Sequence, residues 1–280
     1  MIGTRAQAEA WIRAHAALTG PIEDFRIRAW STVLRAPTAR GPVWFKANPP
    51  SVAFEPALVD ALARWAPAHV RAPIAVDPVR GWLLADDGGP SISDAGGGIA
   101  RWERMMTGYA ALQRAVAGRT PDMLALGVPD LRPEVVPDAA RLLGVTHPAL
   151  AGWCAELAAD GIGVSIQHED LSGSNVFDGD NRVFDWGDAT VSHPFASLLA
   201  ALYVGIHALG VKPGAPELAR IRDAYLEPWT GEHDRATLRR SATLAVRMGK
   251  VTRALAWHRV QPGSEFVTGW LDELATPDVA

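Results

Sequence analysis

A change of hydrophobic period near residue 88 constrains this chain more than any other feature. Before it, apolar residues come in short alternating runs; after it, they recur at helical spacing over long stretches. Phe25, Ile27 and Ala29 alternate with polar residues, and Val33-Leu34 and Val43-Trp44-Phe45 follow. Pro37 and Arg40-Gly41-Pro42 punctuate these runs, which predicts a three-stranded antiparallel meander over 25–46. Segments 73–76 and 81–84 add two strands about the Asp77-Pro78 turn. Helices are expected over 4–18, with Thr4 as N-cap, and over 54–65. Asp86-Asp87-Gly88-Gly89-Pro90 ends the β region. Beyond it, helices are expected over 99–116, 133–143, 149–159, 215–226 and 235–260, and strand character returns only at 164–166 and 183–184. The implied class is α+β and bilobal, with a small antiparallel lobe over 1–88 and a larger helical lobe over 89–280.

Composition narrows the function classes. At 280 residues there is room for two lobes, each with its own core. With 48% hydrophobic and 21% charged residues the chain reads as globular, and a formal charge of −4 argues against a nucleic-acid partner. One cysteine, Cys154, excludes an internal disulfide and fits a reducing compartment. Residues 1–20 include Glu9 where a signal peptide needs an apolar run, so a cytoplasmic location is expected. Segment 194–211 approaches the length of a spanning helix, but Gly205, His207 and the lack of basic flanks favour a buried core helix and no membrane.

Chemistry concentrates at 168–188. His168-Glu169-Asp170-Leu171-Ser172-Gly173-Ser174-Asn175 follows an apolar strand. Asp170 suits the acceptance of a hydroxyl proton, Asn175 offers a hard amide oxygen to magnesium, and His168 suits bracing the loop. Alone, the stretch is equally compatible with a solvated polar turn. Asp185 changes that. It follows Arg182-Val183-Phe184, and a hairpin turning at 178–181 would return it beside Asn175 as a second metal ligand. Asp188 has three readings: a bond within the metal loop, contact with an acceptor, or a cap before the next helix. His193 reads as structural.

These residues, followed by Asp185-Trp186-Gly187-Asp188, resemble the aminoglycoside phosphotransferase family, the small-molecule branch of the protein-kinase-like fold. The resemblance runs from about residue 22 to the end, with its specific motifs confined to 168–188. It implies an ATP- and Mg2+-dependent kinase that phosphorylates a hydroxyl of a small molecule such as an aminoglycoside, another antibiotic, a sugar or an amino alcohol. GTP remains open as the donor, since backbone pairing to a purine leaves little side-chain signature. The resemblance demands a phosphate-binding lysine on the third strand. Lys46 is the only lysine before Lys212, and Glu55 opens the next helix to steady it. Leu84, Ala85 and Asp86 fall where adenine would meet the linker. No glycine loop stands between the first two strands; Ser31 and Thr32 there are either phosphate contacts or ordinary strand residues. Asp122, Asp130, Glu134, Asp138 and Glu227 are acidic candidates for a cationic acceptor, and Trp153 and Trp229 for stacking on a sugar. A protein kinase is disfavoured by the missing glycine loop and by Trp186. A nucleotide-binding regulator without catalysis is opposed by the retained Lys46, Asp170, Asn175 and Asp185.

Overall fold

The computed structural model describes residues 3–276; the first two and last four residues of the two expected lobes lie outside the described residues. Helix α1 (Arg5–His15) opens the chain. Thr4 caps it reciprocally with Gln7, so two orphan backbone donors are satisfied within one turn. Strands β1 (Glu23–Arg28), β2 (Ser31–Thr38) and β3 (Gly41–Ala47) form the meander, and α2 (Glu55–Trp65) leads to β4 (Ala75–Asp77) and β5 (Trp82–Asp86). The five strands make one antiparallel sheet in the order β1-β2-β3-β5-β4. Ala8 and Ile12 of α1 pack beneath it with Leu34, Phe45, Trp82 and Leu84. Trp82 is fully buried, with the rings of Trp11 at 5.8 Å and Phe45 at 5.5 Å meeting it edge-on. Trp82→Ala should therefore lower stability by about 3–5 kcal/mol in denaturant unfolding. A loss below about 1 kcal/mol would show that this small core is not close-packed.

The alternation in 25–29 does not mark a buried face. Every residue of β1 is exposed, and Phe25 and Ile27 remain 56% and 53% accessible. The strand lies at the sheet's edge, with a register shift between Asp24 and Arg26, and Phe25 packs only edge-on to Trp44 at 4.8 Å. Helix α2 carries Phe54, Leu58 and Leu62 into the larger core rather than into the one beneath the sheet.

The helical part comprises α3 (Ile99–Val116), α4 (Thr120–Ala125), α5 (Val136–Ala140), α6 (Leu150–Ala159), α7 (Leu198–Leu209), α8 (Pro216–Leu226), α9 (Arg235–Val260) and α10 (Glu265–Asp272). The expected helix over 133–143 is broken: only α5 is α-helical. Pro137 falls in its first turn, and Gly144 ends the segment with φ +68°. The apolar stretch 194–211 is a short 3-10 turn followed by α7, whose residues Leu198 to Leu202 are all buried. No helix among the described residues is long and apolar enough to cross a membrane.

Strand β6 (Ser165–Gln167) pairs with β7 (Thr190–Ser192), which sequence patterning did not reveal. Segment 176–183 closes its own hairpin. Val176 bridges Val183, the Phe177 amide donates to Arg182, and the Phe184 amide donates to the Asn175 carbonyl at 3.0 Å. Asn181 takes φ +59° at the turn, a conformation asparagine tolerates.

Candidate active site

The hairpin brings Asp185 to Asn175, and the sheet brings Lys46 to Glu55, as expected, and also to Asp185, which was not expected. Lys46 Nζ lies 2.6 Å from Glu55 and 2.5 Å from Asp185. Burial works against the Lys46 charge, but Asp185 and Glu55 outweigh it and hold the ammonium above its ordinary value. Glu55 is wholly buried; burial raises its carboxyl, and Lys46 offsets part of the rise. For Asp185, burial also favours the neutral form, yet Lys46 overrides it and keeps the carboxyl below the usual range. Asp185 itself sits at φ 63°, ψ 63°. This left-handed conformation is uncommon for a residue other than glycine, and here it turns the chain from the hairpin into a 3-10 turn over 186–188. Gly187 follows because space there is short: a Cβ would stand 3.3 Å from both Glu55 Oε2 and Lys46 Nζ.

His168 is buried and fixes the loop from within. Its Nδ1 accepts from the Asp170 amide at 3.2 Å, so the Nε2 that meets the Phe184 carbonyl at 3.0 Å carries the proton. The His168 amide in turn donates to the Tyr109 hydroxyl at 2.8 Å. Asn175 Nδ2 donates to the Asp170 carbonyl at 2.9 Å and to its carboxylate at 3.1 Å. That orientation leaves the amide oxygen of Asn175 turned away from Asp170.

A cleft of about 680 Å³ opens between the sheet and this loop. Lys46, Glu55, Asn175 and Asp185 line it at one end, and Leu83, Ala85 and Asp86 at the other. Leu84 departs from expectation. Its side chain is buried under the sheet and its carbonyl accepts from the Ile74 amide at 2.8 Å, so it does not form the cleft wall. Neither do Ser31 and Thr32, which lie at the base of the two-residue β1–β2 turn; Phe25, Arg26 and Val33 form that part of the wall. At the linker, Gly88 lies so close to the Phe177 ring that a Cβ would collide with it.

Sequence reasoning missed the arginine that organises the other side of the loop. Arg253 of α9, only 5% exposed, donates to Asp170 Oδ1 at 2.8 Å and to Asp188 Oδ2 at 2.7 Å. Burial opposes its charge, and Asp170 and Asp188 overcome that and hold it protonated. Asp188 is thus tied through Arg253 to Asp170 and caps no helix. Arg259 donates to the Asp188 carbonyl at 3.2 Å. The signal in the sequence was Arg253's position as the one charged residue in the run Val251 to Ala256. Trp257, one turn further along α9, carries Arg253 over its ring at 5.2 Å and meets Trp30 of the β1–β2 turn edge-on at 5.5 Å. His193 is structural, its Nε2 lying 3.0 Å from Asp160.

The acidic candidates are not gathered near Asp170. Asp122 pairs with Arg119, Asp130 and Glu134 with Arg132, Asp138 with Arg141, and Glu227 with Arg235. Trp229 is buried against Phe195 at 5.2 Å, and Trp153 packs on His147.

Glu169, between the two motif residues, is buried and accepts from Thr190 and Thr252 at 3.0 and 3.2 Å. Burial pushes its carboxyl up from 4.5 to about 7, with Arg253 opposing the rise. A carboxyl raised on folding stabilises the fold fully below its unfolded value, and that contribution is lost as pH climbs through about 7. Glu169→Gln should accordingly gain stability relative to the wild type as pH rises from about 4.5 to about 7, by at most about 3 kcal/mol. Parallel denaturant curves at the two pH values would refute this if the difference between the proteins stayed constant.

No protein-family model matches the sequence, and no curated protein matches it. Solved structures do. A choline/ethanolamine kinase family protein from Mesorhizobium loti superposes with a TM-score of 0.65 at 19% identity, over 98% of this chain and 94% of the other. The chain has the protein-kinase-like fold of the small-molecule phosphotransferases. A macrolide 2'-phosphotransferase type I shares that kinase-like fold with a TM-score of 0.63 at 17% identity, over 99% and 100% of the two chains. An aminoglycoside phosphotransferase from Streptomyces rimosus, solved with ADP and streptomycin, matches at 0.51 and 17% identity over 87% and 97%.

Proposed function

We infer that this protein is an O-phosphotransferase that moves the γ-phosphoryl group of ATP to a hydroxyl of a small molecule. The observation that carries the reading is the convergence of Lys46, Asn175 and Asp185 on one cleft, with Asp170 hydrogen-bonded to Asn175 behind its wall. The residues of 1–88 form the nucleotide lobe and those of 89–280 the lobe bearing catalytic and metal loops. Leu83, Ala85 and Asp86 line the part of the cleft that would take adenine, and backbone groups of Ala85 and Asp86 would pair with the purine edge. The phosphates lie toward Lys46, which now contacts Asp185 directly at 2.5 Å. Arg26 stands on the wall of the cleft where a glycine loop would have supplied amide donors, and its charge suits the same task.

The donor set at the hairpin's two ends fits magnesium: one carboxylate on Asp185 and one amide oxygen on Asn175, freed because the amide nitrogen is held by Asp170. Among the described residues no three His, Cys, Asp or Glu side chains are grouped to hold a metal, so the nucleotide phosphates would complete the coordination. Bound there, magnesium would neutralise phosphate charge.

The chain's own part is orientation and proton acceptance. The acceptor oxygen forms its bond to the γ-phosphorus as the bond from phosphorus to the β–γ bridging oxygen breaks and ADP departs. The hydroxyl proton passes to Asp170. Arg253 and Asn175 each occupy one Asp170 oxygen, and the side chain remains 45% exposed, so an acceptor can still reach it. Magnesium-dependent ADP release across a panel of aminoglycosides, macrolides, sugars and amino alcohols tests the reading. Binding of ATP without transfer to any acceptor, protein included, would favour the regulator reading instead; failure to bind either ATP or GTP would end it.

A further inference from the structure

A single side chain of α9, Trp257, touches both Arg253 and the turn that ends one wall of the cleft. The Arg253 guanidinium lies over its ring at 5.2 Å, and Trp30 meets the ring edge-on at 5.5 Å. Phe266 of α10 stacks on it at 4.3 Å, with the planes 19° apart. Trp30 belongs to the two-residue turn between β1 and β2, the strands that give Phe25, Arg26 and Val33 to the cleft. The indole pair therefore joins the cleft wall to the arginine that holds Asp170 and Asp188.

That wall is built to move. Strand β1 is at the sheet's edge, paired on one side only, with every residue exposed and its register shifted between Asp24 and Arg26. A strand with few buried contacts opens locally at low cost, and an irregularity in its register gives it a place to bend. Trp257 and Phe266 are fixed on helices, so they form a seat to which the half-buried Trp30 returns. An edge-to-face pair contributes beyond the area it buries, and a guanidinium over an indole gains as water is excluded. Seating Trp30 does both: it holds the wall against α9 and covers part of the ring that carries Arg253.

We propose that Trp30 and Trp257 form an aromatic latch that closes the β1–β2 wall of the nucleotide cleft against α9 and, through Arg253, steadies Asp170 when the cleft is occupied. The inference rests on the phosphotransferase reading and adds a regulation of its site: nucleotide release and the alignment of Asp170 depend on one contact. Trp257 is a positioning residue, acting on Asp170 through Arg253. Unseating Trp30 frees the wall so that nucleotide can enter and leave.

The test follows release of N-methylanthraniloyl AMP-PNP from its magnesium complex by stopped flow. Trp30→Ala and Trp257→Leu should each speed release by about 2- to 10-fold, the range an edge-to-face ring pair contributes. The double variant should release no faster than the faster single one, because both substitutions open the same latch. Rates that multiply would overturn the proposal, as would release unchanged in either single variant. Trp30→Phe keeps a ring edge for Trp257 and should restore slow release, a rescue that a general loss of stability would not give. Coupling to the catalytic loop is read from the Arg253 Nε–H resonance, assigned by its loss in Arg253→Lys. Nucleotide should shift this signal in the wild type and leave it in place in Trp30→Ala. No shift in the wild type, or an equal shift in both proteins, overturns the proposal. Should Trp257→Leu not fold, the two Trp30 variants and this resonance decide alone. Failure of the wild type to bind the analogue removes the nucleotide reading and the latch together, whereas unchanged release removes the latch and leaves phosphotransfer standing.

Discussion

Asp170→Asn should lower kcat by roughly 10²–10⁴-fold while nucleotide affinity stays nearly unchanged. The asparagine keeps the shape and one oxygen for Arg253; its amide nitrogen cannot accept from Asn175 Nδ2, which still holds the residue-170 backbone carbonyl, so the loop keeps two of its three anchors. What disappears is the acceptor for the hydroxyl proton. Asp170 is not on the wall of the nucleotide cleft, which is why binding and turnover should separate. Single-turnover ADP formation alongside a nucleotide titration measures both. Retention of more than about a tenth of kcat would mean that the hydroxyl loses its proton elsewhere. A parallel loss of nucleotide binding would mean that the loop had collapsed.

Lys46→Met should be costly in two independent ways. One is catalytic: a charge-stabilising group at the phosphates is worth about 10²–10³-fold in kcat. The other is structural, because Glu55 is fully buried and Lys46 is its ion-pair partner at 2.6 Å. Removing one partner of a buried pair typically costs about 3–5 kcal/mol. Glu55 can escape that penalty by taking up a proton, since burial already raises its carboxyl. The sign follows. The variant's deficit should be small near pH 5, where a neutral Glu55 is easily reached, and should grow toward pH 8 as protonation becomes harder. Combining Lys46→Met with Glu55→Met should recover stability without recovering activity, which separates the two roles. A deficit independent of pH would show that Glu55 stays charged without Lys46.

The legible parts of this structure were those encoded by near neighbours in sequence. Helix α9 was recognisable because its apolar stripe runs between the Asp234 cap and Gln261 without a break. The 178–181 hairpin was recognisable because turn residues flank two apolar pairs, and it placed Asn175 beside Asp185. The Lys46–Glu55 pair was what the family resemblance demanded, and the scarcity of lysine singled out Lys46 for it. Failures came where long-range contacts decide. Segment 133–143 has a helical pattern, but Pro137 and Gly144 limit it to a single short helix. Strand β1 alternates without a buried side because it lies at the sheet's edge, with only the Phe25–Trp44 ring contact against it. Leu84 was one residue out of register for the cleft, since pleating sends neighbours to opposite faces. Arg253 reaches Asp170 across 83 positions, and no local pattern reports such a contact.

That separation bears on how the protein is made. Asp170 and Asp188 leave the ribosome before the arginine that reconciles them, 65 residues behind Asp188. At about 5–20 residues per second, that is roughly 3–13 s of synthesis. During this interval the two aspartates lack the cation that holds them together, while Lys46, Glu55, Asn175 and Asp185 are already in the emerged chain. A nascent chain halted just before residue 253 would thus contain every residue proposed to touch the nucleotide and still lack the brace for the acceptor side. On the proposed reading the nucleotide residues precede the acceptor-side brace in biosynthetic order, and α9 is the element whose arrival joins them.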